Sequence, residues 1–129
     1  MGQEKIGQLD ENIVKAMGSY GGGIAATGGT CGTLLGGVAL ISSLYSRGNL
    51  LGKEDPRMWS LSQKFIALFT ELTREYGGID CRDIARVDWR DKQAAKAYYN
   101  DPESRRLLCI KLVGDAAYVL GKILEEESC

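Results

Sequence analysis

The stretch "DPRMWSLSQKFIALFTELTREYGG", residues 55–78, decides the fold. Trp59, Ser62, Phe65, Ile66, Phe69, Leu72, Thr73 and Tyr76 recur at three- and four-residue spacing, the signature of one helix face. Pro56 suits a first helical position, and Gly77-Gly78 suits an end. The spacing therefore predicts a long amphipathic helix packed on a core.

The same signals recur on both sides. Upstream, Leu9 to Met17 reads as a short amphipathic helix, residues 18–30 as a glycine-rich loop, and Thr30 as the N-cap of a helix running to about Ser46. Downstream, Asp80 is placed to cap a short turn from Cys81 to Ala85, and Asp91 to Tyr99 reads as another short helix. Asp101-Pro102 opens a last helix on which Cys109, Leu112, Val113, Ala116, Leu120, Ile123 and Leu124 share a face. Sustained alternation and hairpin turns are missing. The expectation is an all-α, compact bundle of about five helices with a glycine-rich loop before helix two, a single helical domain over residues 1–129.

Composition narrows the function. With 44% apolar and 26% charged residues the chain reads as a soluble globular protein, and a net charge of −1 gives no electrostatic case for nucleic acid. The longest apolar stretch, Cys31 to Tyr45, would span about 23 Å as a helix, short of the ~30 Å bilayer core, so no membrane insertion is expected. The N-terminus has no apolar core of a signal peptide, and a cytoplasmic location is expected. There is no histidine, which removes the commonest general base, Ser/His/Asp and Cys/His arrangements, and histidine-ligated haem.

What remains is cysteine chemistry. Of the four cysteines, Cys31 falls in "GGTCGTLLGG", residues 28–37, at the start of helix two, where free backbone N–H groups and the helix dipole favour a thiolate. The glycines before it free the loop conformation; Gly32 and Gly36 form a flat strip for a neighbouring helix. Cys81, in "GGIDCRDI", also follows a Gly-Gly and a capping residue, with Arg82 and Arg86 near enough to favour thiolate. Cys109 faces the core from the last helix, and Cys129 ends the chain after three glutamates. No CxxC motif exists, so a shared site has to be assembled from separate helices.

"YGGGIAATGGTCGTLLGGVALIS", "YGGIDCRDI" and "CIKLVGDAAYVLGKIL" together resemble the bacterial redox-active protein family named from its cysteine pattern, C_GCAxxG_C_C. The matching marks are the Tyr20–Gly23 loop, Thr30-Cys31-Gly32 with Gly36, then Cys81-Arg82-Asp83, then Cys109 with Asp115-Ala116-Ala117. The resemblance covers roughly residues 9–125. It implies redox activity in the company of oxidoreductase or transport systems, and iron–sulfur or other metal binding has been suggested for the family. A more distant similarity to split-Soret cytochromes c carries no haem here, since CxxCH is missing. The family usually has an earlier cysteine, and nothing before Cys31 is cysteine in this chain.

Three readings follow. The first is thiol/disulfide electron transfer through Cys31 with Cys81 and/or Cys109 and an outside redox partner. The second is an iron–sulfur or other metal-binding module using Cys31, Cys81 and Cys109 with a further ligand from elsewhere, such as Cys129 or a second subunit of a homo-oligomer. The third is a non-catalytic helical interaction protein whose cysteines only pack.

Overall fold

Phe65 and Phe69, one turn apart, are almost wholly withdrawn from solvent, and the molecule is organised around them. In the computed structural model, which describes residues 2–127, they sit on α4 (Arg57–Thr73). Their ring centroids are 6.2 Å apart and tilted by 56°. Against them pack Leu34 and Ile41 of α3 (Gly32–Tyr45) and Leu112, Ala116, Leu120 and Ile123 of α7 (Arg106–Glu127). These three helices form the body of an all-α protein. Smaller helices complete it: α1 (Gly2–Ile6), α2 (Glu11–Ala16), α5 (Cys81–Ile84) and α6 (Lys92–Asn100), with single 3-10 turns at Gly18–Tyr20 and Arg74–Tyr76.

Local chemistry sets the boundaries. Asp55 accepts the Arg57 backbone N–H at 2.9 Å and ion-pairs its guanidinium, an interaction that holds the Asp55 carboxyl below its ordinary value. At the far end α4 tightens into a 3-10 turn and stops at Gly77, whose φ of 96° lies in the left-handed region. Asp91 caps α6 by accepting from the Gln93 and Ala94 N–H groups.

Several expectations need correction. Pro102 does not begin the last helix: Asp101 turns back to accept the Glu103 N–H at 2.8 Å, and α7 begins at Arg106. Trp59, expected in the core, is 60% exposed and donates its indole N–H to Glu54. Val113 is also largely exposed. The five-residue α1 was not expected at all; Lys5 ties it to Glu125 at 2.6 Å.

The glycine strip is corrected most usefully. Gly36 has nothing within 4 Å of where a Cβ would stand. It borders an open apolar groove lined also by Ile13, Met17 and Val113. The close approach falls at the next residue. A Cβ on Gly37 would stand 2.2 Å from the Phe65 ring, and Gly32 lies against the Tyr20 carbonyl. Phe65, being buried, has no room to retreat.

Gly37→Ala should therefore destabilise by about 1–3 kcal/mol through overpacking, whereas Gly36→Ala should stabilise by about 0.5–1 kcal/mol through helix propensity. Urea midpoints of the two variants check this; equal midpoints would contradict the placement of Phe65.

Candidate thiol site

The loop before α3 has an unusual backbone. Gly22 to Ala26 all lie in the left-handed region, with φ between 51° and 74°. Glycine adopts this freely, but Ile24, Ala25 and Ala26 are L-residues with a Cβ, each costing about 1–2 kcal/mol there. Hydrogen bonds hold the turn closed. Gly28 N–H donates to the Gly22 carbonyl at 2.9 Å and Gly29 N–H to that of Gly23 at 2.8 Å. The Thr27 hydroxyl lies 2.8 Å from the carbonyls of both Gly23 and Ile24.

The loop's exit then pairs with the segment before α5. Thr30 and Asp80 form an isolated antiparallel bridge. Cys31 N–H donates to the Ile79 carbonyl at 3.0 Å, Cys81 N–H to Gly29 at 2.7 Å, and Arg82 N–H to Gly28 at 3.1 Å. The two glycine-flanked cysteines thus stand beside one bridged pair. Thr30 is occupied there, so Cys31 rather than Thr30 takes the N-cap position of α3, and neither Cys31 nor Asp80 caps its helix with its side chain. Gly23 is wedged in: a Cβ would lie 2.4 Å from the Gly29 carbonyl oxygen and 2.7 Å from the Cys81 Cβ.

Cys31, Cys81 and Cys109 line one open cleft of about 650 Å³ together with Gly21–Gly23 of the loop. All three are free thiols. Cys31 is half-buried at the edge of the main core. Cys81 is buried, in a small second cluster with Ala85 and Tyr98, and Cys109 packs against both clusters. Arg105 docks the start of α7 onto α5, its Nε–H donating to the Ile84 carbonyl at 2.7 Å. Cys129 lies outside the described residues.

The electrostatics differ from the sequence reading at Cys81. Burial pushes its thiol above the ordinary cysteine value, opposed by the Trp89 indole N–H, which donates to Sγ at 3.2 Å; the neighbouring Cys31 and Cys109 raise it further. Arg82 and Arg86, expected to favour the thiolate, are turned to other partners. Arg82 Nε–H donates to the Gly28 carbonyl and Arg86 to the carbonyls of Asp83 and Tyr76. Tyr98 is held far above the ordinary tyrosine value by burial and by its hydrogen bond with the Cys109 thiol.

The aromatic wall was missed by sequence reasoning. Trp89 packs edge-on to Tyr98 with centroids 4.9 Å apart, and Tyr98 is edge-on to Tyr99 at 5.2 Å. The only available signal was aromatic residues flanking and closing a short helix, which is common in any core. Arg106, at the mouth, was missed as well.

Whether the thiols fit a metal can be tested on the donors themselves. Among the described residues no group of three or more His, Cys, Asp or Glu side chains is placed to hold a metal ion. As placed, the described donors form no such set, and Cys129 lies outside them. Nor is any helix among those residues long and apolar enough to cross a membrane.

Fold and cleft together define an all-α protein that gathers three free thiols from three different elements. The chain belongs to the C_GCAxxG_C_C family: the family model described as "Putative redox-active protein (C_GCAxxG_C_C)" matches residues 1–123. No curated protein and no solved structure matches it.

Cys81 and Tyr98 hold their protons more tightly folded than unfolded. Their stabilising contribution is complete below the unfolded values, about 8.5 for cysteine and 10 for tyrosine, and is lost as pH climbs through the folded values. The urea midpoint should therefore fall progressively above about pH 8.5, and Cys81→Ala should flatten the first part of that fall. A midpoint rising over this range would contradict the burial of both groups.

Proposed function

We propose that the protein transfers electrons by thiol/disulfide exchange, with Cys31 as the attacking thiol and Cys81 or Cys109 as the resolving one. The observation that carries this is the convergence of three unpaired thiols on one cleft. Membership of a family described as redox-active supports it. The roles follow from the surroundings. Cys31 is half-buried at the N-terminal end of a 14-residue helix, where free N–H groups and the positive end of the helix dipole face an incoming anion or thiolate. Cys81 is buried and pushed toward the neutral thiol, and Cys109 is tied to the Tyr98 hydroxyl, so neither competes well for a first encounter.

In the first step the Cys31 thiolate attacks a disulfide sulfur, and one thiolate leaves and takes a proton from water. In the second, a neighbouring cysteine, deprotonated, attacks the Cys31 sulfur of the mixed disulfide and expels the other thiolate. The protein has then lost two electrons to the substrate and holds one disulfide. An oxidoreductase or transport system would return the electrons. A bacterial cytoplasm, which keeps thiols reduced, suits the starting state.

Iodoacetamide at pH 7 should label Cys31 first in the reduced protein. Controlled oxidation should remove two thiols and produce an intrachain disulfide of Cys31 with Cys81 or Cys109, identified by peptide mapping. If Cys31 reacts more slowly than Cys109, or if the three thiols survive oxidation, the reading fails.

A further inference from the structure

We infer that the cleft takes small disulfides bearing a carboxylate, and that Arg106 is the group that binds the carboxylate; the inference rests on the thiol-exchange reading above. The cleft's volume of about 650 Å³ is that of a small-molecule site. Its lining is apolar and aromatic apart from the thiols, a threonine and one charge, Arg106; no Asp or Glu among the described residues lines it.

The guanidinium is also placed and available. It lies over the Tyr99 ring, 5.6 Å from the centroid, which holds it at the mouth of the cleft. Among the described residues no carboxylate is ion-paired with Arg106, Arg47, Arg86 or Arg105, whereas Arg57, Arg74, Arg82 and Arg90 each have one, and of the unpaired four Arg106 lines this cleft. Arg106 stands three residues before Cys109 and four before Ile110, and all three line the cleft, so cation and thiol share one helix face a turn apart. Cys31 lines the same cleft, so a disulfide whose sulfur meets Cys31 can set its carboxylate toward Arg106.

The reaction is the one already balanced. The substrate's S–S bond is reduced to two thiols, the protein's two thiols are oxidised to one disulfide, and Arg106 holds the substrate's charge without exchanging a proton.

The test compares oxidation rates of the reduced protein by 3,3′-dithiodipropionate, which carries a carboxylate at each end, and by bis(2-hydroxyethyl) disulfide, a neutral compound of similar size. The ratio of the two rates should fall about 3- to 10-fold in Arg106→Gln and be largely retained in Arg106→Lys, and salt should lower it in the parent but not in Arg106→Gln. A ratio unchanged in Arg106→Gln overturns the inference while leaving thiol exchange standing. A parent protein that reacts with neither disulfide overturns the thiol-exchange reading and the inference with it.

Discussion

The pairing of residues 28–31 with residues 79–82 is the constraint on which the site depends. Four pairs of backbone positions meet there, and the two partners are about fifty residues apart in the chain. Such a contact is not needed to build the bundle, since Phe65 and Phe69 already bring α3, α4 and α7 together. Its effect is to set the starts of α3 and α5 side by side. Each of those starts carries a cysteine, so a small patch of pairing outside any sheet converts two helix N-termini into one thiol site.

That pairing explains why the strained loop persists. Three L-residues in the left-handed region oppose folding by about 3–6 kcal/mol in sum. The internal hydrogen bonds of residues 19–29 and the bridge that follows offset this, because breaking the turn would also strand buried N–H and C=O groups. Gly23 is the position with no alternative. Its left-handed φ and its closeness to Gly29 and to the Cys81 Cβ leave space for a hydrogen only. Strain of this kind beside reactive groups is a frequent companion of function, since it fixes geometry that relaxed backbone would not keep.

The helical architecture was legible because period carries it. The 55–78 pattern, the aspartate at position 91 and the Gly77 stop all act through local rules that do not depend on the rest of the chain. The errors fall where a tertiary partner overrides a local rule. Thr30 is a good capping residue, but the bridge to Asp80 takes it. Helical spacing from Gly32 points to Gly36 as the close-packed position, and only the location of Phe65 shows that Gly37 is the one that needs to be glycine. At the site, Cys31, Cys81 and Cys109 were chosen from residue type and setting, and the structure places all three on one cleft. Trp89 was invisible because its role depends on an indole N–H reaching a sulfur eight residues away around a turn.

The three thiols are alike in sequence terms, yet their surroundings separate them. At Cys81, desolvation disfavours the thiolate and a single indole N–H favours it; burial is the larger effect, so the proton stays. A thiol held in that state is a poor first nucleophile. Once an adjacent sulfur has entered a mixed disulfide, however, the second attack is intramolecular, and its rate gains from proximity what it lacks in thiolate fraction. In the proposed exchange a resolving Cys81 must first lose its proton, and the Trp89 indole N–H is the donor already aimed at the sulfur that would then carry the charge. In the exchange proposed above, with Cys81 as the resolving thiol, burial would keep Cys81 out of the opening step and the Trp89 hydrogen bond would ease its deprotonation for the closing one.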